Sequence, residues 1–303
     1  MPLPPPDVPF TRVDPASRKG PDAVTDLMLD GPHGPLRGRT YTPAAPAGPG
    51  LLWLHGGGFG GGDLAMPEGD WVARAFAEHG ITVISLEYSL APREERPSAP
   101  LRGDVHYPVA HDETVFAYRW AVASGLASGP WSIGGASAGA NLAAGAALRL
   151  AHDASDVPTL AVLAYPTLQA VQAEPDAALR ALLDADPAAD RFRPEGILAM
   201  YENYLGGPAD DADAYAVPGI ATPAQLTGFP PTIMINSEAD QLRVSGEAFG
   251  ALLTAAGVEL DISLEPGTTH GHLNRPEEPA AAASVARFAA RILATAPDRK
   301  ELT

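Results

Sequence analysis

There is no cysteine anywhere in the 303 residues. That excludes disulfides, thiolate nucleophiles and cysteine metal sites. Basic residues are scarce too: 20 Lys and Arg stand against 37 Asp and Glu, a formal charge of −17. So acidic a surface repels phosphate backbones and anionic headgroups, so neither nucleic acid nor a membrane surface is an expected partner. Long hydrophobic runs are also missing, and no apolar stretch approaches the ~20 residues of a membrane span. The opening MPLPPPDVPF has neither the basic region nor the apolar core of a secretory signal. A soluble, cytoplasmic protein is the expectation. What is present is globular: 46% hydrophobic residues and 19% charged, with enough length to bury a large core. Such a chain often forms one α/β domain, and we read residues 1–303 that way.

The sequence has no internal repeat. Residues 1–22 are rich in proline and charge and read as an arm or short lid. Two extended runs, 25–29 and 36–42, flank the turn cluster Gly31-Pro32-His33-Gly34-Pro35 and predict a β-hairpin. Beyond it, short apolar strand segments alternate with helical patterns. Strands are predicted at 51–55, 81–86, 131–133, 160–164, 232–235 and 259–264. Helices are predicted at 67–79, 111–124, 138–152, 243–256 and 280–295. Strands that are continuous apolar runs belong in a mainly parallel sheet covered on both faces. Residues 170–228 break the rhythm, being rich in Asp, Pro and Ala with helical patches at 177–183 and 195–204. They read as an inserted cap over the carboxyl edge of the sheet, where open α/β sheets place their ligands.

Between a predicted strand and a predicted helix lies Gly135-Ala136-Ser137-Ala138-Gly139, a G-x-S-x-G. A nucleophilic serine must stand on a tight, strained strand-to-helix turn. Side chains two positions either side would collide with the strand and the helix, which is why glycine is needed there. The Ala138 amide would then lie at a helix N-terminus, where the dipole favours an anion. The competing reading is an inert serine at a glycine-lined helix start.

His55-Gly56-Gly57-Gly58-Phe59 follows an earlier strand. Bare glycine amides can approach a developing oxyanion closely, and α/β-hydrolases carry such a run after their third strand. Gly56, Gly58 and Gly61 also satisfy G-x-G-x-x-G, a dinucleotide fingerprint. That fingerprint needs a helix directly after the turn, whereas here the loop runs on through Gly62, Asp63 and Leu64. A merely flexible glycine loop is the third reading.

A serine hydroxyl needs a neutral imidazole in hydrogen-bond reach, and the imidazole needs an orienting carboxylate. His270 follows the last predicted strand and Asp240 follows the strand at 232–235, which gives the order Ser137, Asp240, His270. Glu238 remains a rival for the acid, whereas Asp261 lies inside a strand and should point away. His272 is the rival base, or else a polar residue lining the pocket. His33, His79, His106, His111 and His152 fall on turns or helix ends and are read as solvated.

Five strings together resemble the hormone-sensitive-lipase-like (bacterial type IV) esterases of the α/β-hydrolase fold. They are HGGGFGGGD at 55–63, EYSLAP at 87–92, GASAGANLA at 135–143, FPPTIMINSEADQLR at 229–243 and THG at 269–271. The likeness extends from about residue 25 to 291. It implies an eight-stranded, mostly parallel sheet flanked by helices, with a small helical cap. It also implies Ser137, Asp240 and His270 as the triad, and Gly57, Gly58 and Ala138 as oxyanion donors, with His55 and Gly56 shaping the loop. Short to medium acyl esters would be the substrates, with no cofactor and no metal, and homodimers are frequent in the family. Departures bear on substrate preference. Ala136 stands where the family usually has Asp or Thr, Ser89 where it has Arg, Val244 where it has Asp and His272 where it has Phe. The stretch 93–106 is longer than usual and the N-terminal arm shorter. An amidase or lactonase with the same triad is the runner-up. A non-catalytic ligand receptor on the same scaffold is the reading from a different class.

Overall fold

In a computed structural model the chain is described over residues 23–93, 103–187 and 189–296. The arm expected at 1–22, and most of the long stretch 93–106, lie outside the described residues. The hairpin is β1 (Ala23–Gly31) and β2 (Gly34–Thr42). Then come β3 (Gly50–Leu54), α1 (Asp70–Glu78), β4 (Thr82–Glu87), α2 (Val109–Ala123), β5 (Trp131–Ala136), α3 (Ala138–His152) and β6 (Ala161–Ala164). Between β6 and β7 come α4 (Ala177–Ala185) and α5 (Pro194–Leu205). The chain closes with β7 (Thr232–Ala239), α6 (Arg243–Ala255), β8 (Leu260–Thr269) and α7 (Pro279–Leu293).

The strands form one sheet in the order β1-β2-β4-β3-β5-β6-β7-β8. The β1–β2 and β2–β4 pairings are antiparallel, and those from β4 onward are parallel. Side chains alternate across a strand, and β3 shows the consequence. Leu52 and Leu54 enter one core with Val115 and Trp120 of α2 and Leu142 and Leu148 of α3. Leu51 and Trp53 enter the opposite core with Val72 and Phe76 of α1 and Val285 and Phe288 of α7. Both faces of the central strands are therefore buried, which is why their sequence is continuously apolar.

The helical boundaries follow local chemistry. Pro194 occupies the first turn of α5, and Gly206 closes it in the left-handed conformation. Asp176 caps α4 by accepting from the Leu179 amide at 2.8 Å. The last two strands outrun their apolar cores. β7 continues through Asn236 and Ser237 to Ala239 with a register shift, and β8 continues to Thr269. These extensions deliver Asp240 and His270 immediately after the carboxyl ends of neighbouring strands. The rival dinucleotide turn is ruled out by the same geometry: α1 starts only at Asp70, well beyond Gly61.

Candidate active site

The turn from β5 into α3 is as tight as the sequence predicts. A Cβ on Gly135 would lie 2.7 Å from the Leu54 carbonyl oxygen, and one on Gly139 would collide with the carbonyl oxygens of Leu54 and His55. Ser137 itself has φ 53° and ψ −118°, a conformation that costs a non-glycine residue about 1–3 kcal/mol and is stored at functional sites. The residue is only 8% exposed.

The imidazole meets it there. His270 Nε2 lies 2.9 Å from Ser137 Oγ, and His270 Nδ1 lies 2.6 Å from Asp240 Oδ2. Asp240 is fully buried, and its Oδ1 accepts the Leu242 amide at 3.0 Å. Since the carboxylate can only accept from the ring, Nδ1 carries the hydrogen and Nε2 is left as the acceptor facing the hydroxyl. The ring plane is held edge-on by Tyr165, with centroids 5.0 Å apart, and by Phe192, at 4.5 Å.

The glycine loop after β3 borders the same space. Gly57 and Gly58 line a cavity of about 550 Å³ together with Ser137 and His270. Gly57 has φ +132°, which a side chain would strain. Gly56 packs so closely that a Cβ on it would lie 3.1 Å from the Ser137 Cβ. Ala138 opens α3 directly after Ser137, so its amide is among the first of a helix and has no carbonyl one turn earlier to bond. His55 stands behind the loop, fully buried, with Nδ1–H donating to the Gly56 carbonyl at 2.7 Å. Its ring stacks on Tyr88 at 4.6 Å, and Tyr88 Oη donates to the His55 carbonyl. Burial pushes the His55 pKa down, so it is a neutral brace.

Every residue expected at the site converges on this edge, and the rivals do not. The Glu238 carboxylate accepts the Gly267 amide at 2.8 Å instead of reaching the imidazole. Asp261 is exposed within β8. His272 is no pocket residue. It is fully buried, with Nδ1 2.9 Å from Ser237 Oγ and Nε2 2.9 Å from Ser284 Oγ, and it ties β7 to α7. Burial, aided by Arg275, pushes its pKa down to about 3. His111, expected to be solvated, is 1% exposed because nearly every side of α2 is covered. Two departures from the family strings are also accounted for. Ser89 donates through both N and Oγ to Glu113, and Ala136 packs in the core beside Trp53. Among the described residues no cluster of three or more metal-ligating side chains forms, and no helix is long and apolar enough to cross a membrane.

Sequence reasoning missed the walls. Phe192 and Met200 come from the stretch between β6 and β7 and Leu242 from the turn after Asp240, and all three line the cavity. Glu68 lines it as well, from the loop before α1. Phe192, Met200 and Glu68 lie outside every motif string, Leu242 falls inside one without being singled out, and only the folded chain brings all four to Ser137.

A parallel sheet of this strand order, a strained serine elbow after its fifth strand and a glycine loop after its third define an α/β-hydrolase. A family model described as alpha/beta hydrolase fold matches residues 51–274. The chain belongs to that family, within its hormone-sensitive-lipase-like, bacterial type IV branch. Among curated relatives it is similar to the carboxylesterase NlhH of Mycobacterium tuberculosis, at 34% identity over 84% of this chain and 74% of the relative. It is also similar to an ethyl acetate hydrolase of Pseudomonas putida, at 31% identity over 82% and 76% of the two chains. Among solved structures it resembles the thermostable carboxylesterase EstE1 from a metagenomic library, with TM-score 0.77, 26% identity and coverage of 93% and 92%.

Proposed function

We propose that the chain is a serine carboxylesterase acting on short to medium acyl esters through an acyl-enzyme. The observation that carries this is the continuous chain from Ser137 Oγ through His270 to buried Asp240, opening on a cavity bordered by Gly57 and Gly58. In the reaction Ser137 Oγ attacks the ester carbonyl while His270 Nε2 takes its proton. Asp240 holds the Nδ1–H tautomer and stabilises the imidazolium. The amides of Gly57, Gly58 and Ala138 receive the oxyanion; loss of one such donor typically costs about 3 kcal/mol of transition-state stabilisation. His270 then protonates the departing alcohol, and water repeats the cycle on the acyl-enzyme. We assign residues 170–228 to a cap whose Phe192 and Met200 wall the cavity and limit acyl length. No cofactor enters the scheme.

The test is turnover of p-nitrophenyl esters of rising chain length by wild type and Ser137→Ala. Wild type should prefer the shorter chains, and the variant should lose nearly all turnover with its circular dichroism unchanged. A Ser137→Ala enzyme of wild-type activity would end the proposal.

A further inference from the structure

Glu68 belongs to none of the motifs that mark the site, yet it is bonded both to the glycine loop and to the turn after His270. It sits in the loop between β3 and α1 and is 2% exposed. Its Oε2 accepts the Gly56 amide at 2.8 Å. Its Oε1 accepts Tyr165 Oη at 2.7 Å and Asn274 Nδ2 at 2.6 Å. The Asn274 pairing is reciprocal, because the Glu68 amide donates back to Asn274 Oδ1 at 3.2 Å. The Glu68 carbonyl accepts Trp53 Nε1 at 2.7 Å, which fastens the loop to β3. These side-chain partners are neutral donors, and no cation of the described residues forms an ion pair with the carboxyl group.

A carboxylate withdrawn from water without a counter-cation is costly unless its hydrogen bonds are complete. Here both oxygens are engaged, by three donors in all, and each donor leads to the chemistry. Gly56 is the residue before the candidate oxyanion donors, and a Cβ on it would lie 2.6 Å from Glu68 Oε2. Tyr165 stands edge-on against the His270 ring, 5.0 Å between centroids. Burial and the neighbouring Glu68 raise the Tyr165 pKa well above its ordinary value, so it remains a donor. Asn274 lies in the turn after His270, its amide bonded to the Gly271 carbonyl at 2.9 Å.

From this we propose that Glu68 is a positioning residue, fixing the Gly56 peptide so that the next amides stay aimed at the oxyanion. Through Tyr165 and Asn274 it also fastens that glycine loop to the turn carrying His270. The inference rests on the esterase reading and names a part that no motif supplies. A loop of consecutive glycines has little stiffness of its own, and the aim of its amides must be imposed from outside. Glutamine can replace only half of the arrangement. If its oxygen faces Gly56, its amide group faces the donors Tyr165 and Asn274.

Glu68→Gln, Glu68→Ala and Asn274→Ala test this with p-nitrophenyl butyrate, turnover being expressed per site titrated by the burst of p-nitrophenol. Misplacement of transition-state groups by about 1 Å costs on the order of 100-fold. Turnover per titrated site should therefore fall about 100-fold in Glu68→Ala and about 10-fold in Glu68→Gln and Asn274→Ala. KM should stay within about threefold, because the amides act on the transition state rather than on bound ester. Phosphorylation of Ser137 by diethyl p-nitrophenyl phosphate, which releases p-nitrophenolate and also builds negative charge on an oxygen in that hole, should slow by the same factor. A role confined to folding would lower the titrated fraction and leave turnover per site intact; that result, or wild-type turnover in Glu68→Gln, overturns the proposal. If Glu68→Ala does not fold, the other two variants decide. Ser137→Ala assayed in parallel separates the two readings: its activity would indict the esterase mechanism, whereas active Glu68 variants indict only the positioning role.

Discussion

Asp240→Asn separates orientation of the imidazole from mere proximity to it. Asp240 uses its two oxygens for different partners, Oδ1 for the Leu242 amide at 3.0 Å and Oδ2 for His270 Nδ1 at 2.6 Å. Asparagine offers one acceptor. With its oxygen on the Leu242 amide, its NH2 faces Nδ1, forces the proton to Nε2 and leaves Ser137 without a base. With the amide turned round, His270 keeps its tautomer, but the Leu242 amide faces a donor inside a fully buried pair, at a cost of about 1–3 kcal/mol. The first arrangement should dominate. Loss of the correct tautomer in Ser-His-Asp hydrolases lowers kcat by about 10⁴, close to 5.5 kcal/mol of barrier. The assay is steady-state hydrolysis of p-nitrophenyl butyrate near neutral pH, with urea unfolding to confirm the fold. We expect kcat to fall about 10³- to 10⁴-fold with KM changed by less than about threefold. Glu238→Gln, whose carboxylate bonds Gly267 instead, should stay within about twofold of wild type because it touches no reacting group. An Asp240→Asn enzyme retaining a third of wild-type kcat would refute the reasoning, the more so if Glu238→Gln proved inactive.

The pH dependence of stability should carry the mark of His272, whose pKa falls from the ordinary 6.5 to about 3 on folding. The unfolded chain then takes up its proton first, so this contribution is whole above about pH 6.5 and declines as pH falls toward 3, by up to about 1.4 kcal/mol per unit. By pH 5 that is about 2 kcal/mol, and urea midpoints of wild type and His272→Phe between pH 7 and 5 should show the shallower slope in the variant. Parallel slopes would mean that His272 does not stay neutral in the fold. Gly139→Ala drives a Cβ into the Leu54 and His55 carbonyls and should lower unfolding free energy by about 2–3 kcal/mol, measured by urea titration. An unchanged midpoint would mean that the elbow is looser than its geometry implies.

The sheet was legible because its two physical signals agree. Strands such as 51–55 and 81–86 are apolar on both faces, and helices such as α1 and α7 carry a single buried apolar stripe. The length of β7 was not, since Asn236 and Ser237 are polar and only ladder pairing with Leu264 and Glu265 keeps them extended. Ser137 and the glycines were readable because steric demands at a tight turn leave few residue types possible. His270 and Asp240 were readable from their order after strands. His272 was misread because its partners Ser237 and Ser284 come from elsewhere in the chain and give no local sign. Glu68 went unnoticed for the same reason, for its contacts with Tyr165 and Asn274 span 97 and 206 residues of sequence.

The central claim is that the position-137 hydroxyl is a nucleophile made reactive by His270. Treating the enzyme with an alkylphosphonate p-nitrophenyl ester and mapping the adduct by peptide mass spectrometry tests it most directly. One phosphonyl group per chain on Ser137, formed in step with loss of ester hydrolysis and absent from His270→Ala, is the expected result. Full inactivation with the adduct on another residue, or undiminished hydrolysis with Ser137 quantitatively labelled, would contradict it.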